Sequence, residues 1–204
     1  MPTMTLNQFN SAGFNNVDSA AHKYALDLLY NGVPNDQSTN LLLRSEKLCE
    51  DTRTHNYEHT IEVLWANWNL STAGNFNKAK KEQDNKSDIK YSDVILVLNA
   101  SSFVADQFTN AVNRGTIHEK LEILKLVRIG GPAIEDKLKI GEKVEFHKVK
   151  FTYYEKNDRT GIVVVRFQYY SYKQEVTSFD ESGVELGKRV TDVRLEDGAP
   201  GLVI

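Results

Sequence analysis

Apolar residues in this chain mostly recur at every second position, in runs punctuated by glycine and polar turns. Tyr24-Ala25-Leu26-Asp27-Leu28-Leu29-Tyr30 reads as a strand closed by Asn31-Gly32 and Pro34. Leu41-Leu42-Leu43 fits a short helix or a strand equally well. From Thr60 to Leu70, Ile61, Val63 and Trp65 share one parity and Leu64, Trp68 and Leu70 the other. That pattern predicts a strand buried on much of both faces, with Trp65 and Trp68 on opposite sides. Tyr91 to Leu98 and Leu121 to Ile129 are further strands, the second ended by Gly130-Gly131-Pro132.

Between Val144 and Tyr154 the apolar positions change from even (Val144, Phe146) to odd (Val149, Phe151, Tyr153). A switch of face inside one strand predicts a β-bulge near His147-Lys148. Asn157 to Gly161 is a turn, and Ile162 to Val176 reads as one long strand. Asp180-Glu181-Ser182-Gly183 is a second turn, followed by a last strand from Arg189 to Leu195.

One segment has the period of a helix. Val104, Phe108, Ala111 and Val112 fall on one face after the N-cap hydroxyls of Ser101-Ser102. Arg114 suits the negative end of the dipole, and Gly115 can take the left-handed conformation that ends a helix. A single short helix among about seven strands predicts a mainly β fold: a closed or nearly closed antiparallel β-barrel with one flanking α-helix. Residues 1–21, rich in Asn, Ser, Ala and Gly, read as an N-terminal arm, and 22–204 as a single barrel domain.

Composition narrows the function classes. The 204 residues carry 25 basic and 28 acidic side chains, a formal charge of -3. Such a balance implies neither nucleic acid nor an anionic membrane as partner. A chain of this length buries roughly 70% of its unfolded surface and needs no staples. The one cysteine, Cys49, rules out an internal disulfide and suits a reducing compartment. The N-terminus lacks the basic and apolar regions of a signal peptide, and no apolar run approaches a membrane span.

Catalytic patterns are weak. His55-Asn56-Tyr57-Glu58-His59 matches the H-x-x-E-H of inverted zinc peptidases. Two histidines four apart bind one zinc when a helix presents them, with the glutamate as base. Here the string runs into the Ile61–Leu70 strand and no third ligand is indicated, so it reads as a polar approach to a strand. Cys49 reads as a plain free thiol, Gly130-Gly131 as a turn rather than a phosphate loop, and Trp65 and Trp68 as one core and one interface side chain. No catalytic residue, metal site or cofactor is expected.

The order of elements resembles the Hcp (haemolysin-coregulated protein) family of type VI secretion tube proteins. The resemblance spans roughly residues 22–200. A first strand ends in a Gly-Pro-like turn (Tyr24 to Pro34), and a second has the form Ile-x-Val-x-x-x-x-Trp (Ile61 to Trp68). A long polar loop (Asn75 to Asp88), a strand (Asp93 to Leu98) and a Ser-started helix ending Ala-x-x-x-Gly (Ala111, Gly115) follow. A strand with a Gly-Gly turn, a Val-x-Phe strand, an Asp158-Arg159 turn and a strand rich in Phe and Tyr complete the series. The N-terminal arm and the long stretch Gln37 to Thr54 depart from it.

The resemblance implies a structural subunit, not an enzyme. Six copies would form a ring, and rings would stack into a hollow tube expelled by a contracting sheath. The partners would be copies of itself, then sheath, spike and baseplate proteins, with effector proteins possible in the lumen. The protein would be cytoplasmic before firing and secreted without a signal peptide. The loop would bring stacked rings together through Phe76, Lys78, Lys80, Lys81, Glu82, Asp84, Lys86 and Asp88. A tail-tube or adaptor subunit of a contractile phage tail, or of a related injection particle, shares these expectations. A monomeric barrel enclosing a small ligand and a zinc hydrolase through His55 and His59 are the remaining readings.

Overall fold

A computed structural model describes residues 19–34, 40–68, 70–73, 88–129, 137–194 and 201–203. The strands are β1 (Leu41–Arg44), β2 (Arg53–Thr54), β3 (Tyr57–Glu58), β4 (Thr60–Asn67), β5 (Leu70–Ala73), β6 (Asp88–Tyr91), β7 (Val94–Asn99), β8 (Ile117–Ile129), β9 (Lys137–Asn157), β10 (Ile162–Gln168), β11 (Ser171–Phe179), β12 (Glu185–Arg194) and β13 (Gly201–Val203). Two helices accompany them, α1 (Ser19–Asn31) and α2 (Ser102–Arg114).

Six strands close on themselves in the order β10-β7-β4-β1-β8-β9, with β9 pairing back to β10. Every ladder is antiparallel. The expected barrel is therefore present. From its β9 wall the sheet continues outside the ring as β11, β12 and the short β13, a flange. The last expected strand is thus longer than Arg189 to Leu195 and belongs to this flange.

The barrel is closed by local irregularities. In β4 the register slips between Val63 and Trp65, so Leu64 is an extra residue. Leu64 and Trp65 consequently both face outward, while Ile61, Val63, Ala66 and Trp68 face inward. The two tryptophans lie on opposite sides, as the sequence predicts. In β9, Gly141 is the bulged residue opposite β8. A Cβ there would sit 2.6 Å from Val127 Cγ1, so only glycine fits without movement. The parity switch near His147-Lys148 is also present: Lys148 has a φ of 49°. The neighbouring strand switches with it, because Leu121 pairs Phe146 and His118 pairs Val149.

Two sequence expectations are corrected. Tyr24 to Tyr30 is helical, part of α1. Ala21, Ala25, Leu28 and Leu29 follow a spacing of four, three and one and are all buried, and that 3.6-residue period decides the element. They cover Ile95 and Val97 of β7 and Ile162 and Val164 of β10. Both strands are thereby buried on two faces, which explains their unbroken apolar runs. Asn157 Nδ2 and Thr160 Oγ1 donate to the Leu29 carbonyl at 3.2 and 2.8 Å, satisfying an otherwise orphaned helix end. The supposed long strand from Ile162 to Val176 breaks at Tyr169-Tyr170. Before the break it pairs with β7 and β9; after it, with β9 and β12.

Helix α2 forms as its caps dictate. Ser101 Oγ accepts from the Val104 N–H, Gly115 has a φ of 59°, and Thr116 N–H closes back on the Ala111 carbonyl at 3.2 Å. Its face of Val104, Ala105, Phe108 and Ala111 joins the barrel interior.

Candidate functional site

The barrel interior is occupied by side chains. Phe146, Phe151, Phe167 and Tyr169 are at most 2% exposed. Their rings meet edge to face: Phe146 lies 5.3 Å from Phe167 and 4.9 Å from Tyr169, and Phe151 lies 5.5 Å from Phe167 and 5.3 Å from Phe108 of α2. Such pairings add to the area term of burial. A six-stranded ring is narrow enough to be filled by its own inward residues. At one mouth a cavity of about 390 Å³ remains, lined by Trp68, Leu41 and Val144 and edged by Lys125 and Glu142. The wall itself is packed.

The flange carries a charge ladder on three adjacent strands. Glu175 of β11 is buried and meets Lys143 of β9 at 3.1 Å, Lys173 of β11 at 2.8 Å and Lys188 of β12 at 2.8 Å. Lys143 also meets Glu145 at 2.6 Å. Burial opposes ionisation of Glu175, yet the three ammonium groups hold its carboxyl at about 2. On the same flange Val176, Val184 and Leu186 are exposed, Leu186 at a register shift between β11 and β12. Strand β13 pairs only with Val190 to Asp192. Among the described residues, the stretch from Glu185 to Arg189 is therefore hydrogen-bonded on one side only, an open sheet edge.

A polar latch holds α1 to the wall. Tyr30 and Tyr153 both donate their hydroxyls to Glu155. These bonds, Tyr153 first, hold the Glu155 carboxyl below the usual carboxylate range. The His22 ring packs edge-on to Tyr153 at 5.0 Å. Arg166 lies over the same Tyr153 ring and bridges to the buried Asp93 at 3.2 Å.

The residues singled out from the sequence fare unequally. Phe76, Lys78, Lys80, Lys81, Glu82, Asp84 and Lys86 lie outside the described residues. Asp88 opens β6 and pairs with Ala73 at the top of the small β5–β6 ladder, so the chain enters and leaves the loop as a hairpin. His55 and Asn56 form the tight turn between β2 and β3, with φ of 50° and 68°, and His59 has a φ of 56°. The H-x-x-E-H string is thus a hairpin, and the zinc-peptidase arrangement on a helix is not formed. His59 Nδ1 lies 2.7 Å from the Glu50 carbonyl. Cys49 is fully buried, and burial pushes its thiol up to about 12, far from a thiolate.

Neither a family model nor a curated protein sequence matches the chain. Solved structures do match. A type six secretion system protein is 15% identical and superposes with a TM-score of 0.66 over 79% of this chain and 98% of its own. Hcp1 from Salmonella typhimurium is 10% identical, with a TM-score of 0.53 over 76% of this chain and 94% of its own. A type VI secretion system effector from Yersinia pestis is 12% identical, with a TM-score of 0.53 over 76% and 98%. At these identities the likeness is one of fold: this chain has the fold of those secretion proteins.

Proposed function

We propose that the chain is the ring-forming subunit of a type VI secretion inner tube. One observation carries the reading: the fold likeness takes in nearly the whole of a type six secretion system protein, 98% of its length, rather than a shared fragment. Two features support it. A barrel filled by its own aromatics has no passage of its own, so cargo would travel through a lumen enclosed by several copies, with each subunit serving as wall. The flange has an open strand edge, exposed Val176, Val184 and Leu186 and ordered charges, the kind of surface that a neighbouring copy covers. A heterologous contact of this type closes into a ring when its rotation divides the circle.

In this reading six copies form the ring, and the segment between β5 and β6 carries the stacking contacts through Phe76 and its flanking charges. Sheath, spike and baseplate proteins complete the device, effectors ride in the lumen, and the subunit leaves the cell with the tube. It works by assembly, with no catalytic step.

Light scattering at modest salt, with negative-stain imaging, tests the proposal. Rings with the mass of six chains are expected. A particle that stays monomeric at high concentration overturns it.

A further inference from the structure

Helix α1 lies over the outer wall of the barrel, with Ala21, Ala25, Leu28 and Leu29 against Ile95 and Val97 of β7 and Ile162 and Val164 of β10. Its polar attachment is concentrated on the end of β9 and the turn after it. Tyr30 reaches Glu155, and the Leu29 carbonyl takes Asn157 and Thr160. One residue of this seat is short of a partner. His22, in the first turn of α1, sets its ring edge-on to Tyr153 at 5.0 Å. Its Nδ1 is enclosed and has no hydrogen-bond partner among the described residues.

We propose that α1 is an acid-sensitive cover: a proton taken up by His22 unseats the helix and bares the apolar strip beneath it. A neutral imidazole with its hydrogen on Nε2 leaves only a lone pair at Nδ1. Protonation places an N–H there with no acceptor to receive it, and sets one positive charge beside another. The Arg166 guanidinium of β10 lies over the same Tyr153 ring, 5.5 Å from its centre, and Asp93, just before β7, bridges to it at 3.2 Å. Glu155 of β9 attracts a protonated ring, but the hydroxyls of Tyr30 and Tyr153 already donate to it. Among the described residues, the side chains of β4 and β7 packed against the helix are uncharged: Leu64, Trp65, Ile95 and Val97. On α1 itself Lys23 and Asp27 are exposed, and Asp27 accepts from Asn31 at 2.6 Å. The balance falls against the charged ring: burial, then Arg166, lowers the His22 pKa from 6.5, and Glu155 offsets them only in part. An unseated helix restores the ordinary value and so takes up the proton more readily. The seat therefore weakens as pH falls below 6.5. Glu155, held below the usual carboxylate range, stays ionised there, so the Tyr30 bond outlasts the His22 contact.

Amide hydrogen exchange of the full chain, read by mass spectrometry at pH 7.5 and 5.5 and corrected for the intrinsic effect of pH, tests the proposal. On acidification, opening of α1 is expected to rise about threefold or more beyond any change in β8 and β9. In His22→Phe, which keeps a ring against Tyr153 but has no proton to gain, that excess disappears. Equal protection of α1 at both pH values overturns the proposal, as does an excess that persists in His22→Phe or a loss shared equally by β8 and β9. An NMR titration of the parent decides independently of any variant: a His22 pKa below 6.5 supports the cover, and one at or above 6.5 overturns it.

Discussion

Replacing Phe146 by alanine tests whether the barrel is a packed wall. Phe146 is 0% exposed and its ring touches four others: Tyr169 at 4.9 Å, Phe167 at 5.3 Å, Trp68 at 6.1 Å and Tyr172 at 6.2 Å. From β9 it ties Trp68, just past the end of β4, and Phe167 of β10 to Tyr172 at the start of the flange. Truncating a buried phenylalanine costs about 3–5 kcal/mol in lost transfer and residual cavity. Four ring partners place this site at the upper end, about 4–5 kcal/mol. That is a large share of a typical total of about 5–15 kcal/mol. For a chain of this size it corresponds to a melting point lowered by roughly 8–20 °C. Urea unfolding followed by tryptophan fluorescence is the assay, since Trp68 sits on the mutated ring. Phe103→Ala is the control, because Phe103 is 51% exposed on α2 and its loss stays within about 0.5 kcal/mol. A Phe146→Ala cost under about 1 kcal/mol, or one equal to that of Phe103→Ala, refutes the filled interior.

Three further outcomes follow from the charged and loop residues. Glu175→Gln leaves Lys143, Lys173 and Lys188 facing an amide, so the variant is less stable than the parent at pH 7. The folded-state carboxyl is held at about 2, below its ordinary value of 4.5, so the parent's advantage is complete above pH 4.5 and shrinks as pH falls towards 2, as urea midpoints at neutral and acid pH will record. His118 has the opposite sense: burial, then the nearby Lys47, lowers its folded pKa from 6.5. The unfolded chain therefore takes up the proton first, and stability falls as pH drops below 6.5; His118→Leu flattens that part of the stability profile. Deleting Asn77 to Lys86 leaves the circular dichroism spectrum and melting point near the parent's and abolishes ring stacking in negative stain; an unfolded product refutes the assignment of the loop to assembly.

Much of this fold was written locally. Helix α2 could be read to the residue, since Ser101, Gly115 and the face of Val104, Phe108 and Ala111 all act within one element. The turns at Asn157 to Gly161 and Asp180 to Gly183 were equally legible, as Gly161 and Gly183 have φ of 70° and 85°. Helix α1 was misread because Tyr24 to Tyr30 is dense in aromatic and apolar residues, a composition that strands also favour. Its two alanines, Ala21 and Ala25, mark the close approach to β7 and β10, and small residues register weakly in an apolar count. The break after Gln168 had one trace, the shift of inward residues from Tyr169 to Tyr172, both buried in the core. The charge ladder left none. Lys143, Glu175 and Lys188 are far apart in sequence and meet only once the flange pairs. His118 was equally silent, for nothing near it in the chain distinguishes a buried imidazole from a surface one.

Strand β9 gives the molecule a mechanical property. Its 21 residues pair with β8 along one side and, on the other, with β10 and then with β11. Barrel and flange are therefore joined through one unbroken length of covalent backbone. Load applied to the flange, as the proposed tube would apply on being driven forward, passes along β9 into ladders of many hydrogen bonds on both flanks. To tear the flange away, that load would have to shear those bonds together rather than peel them one at a time.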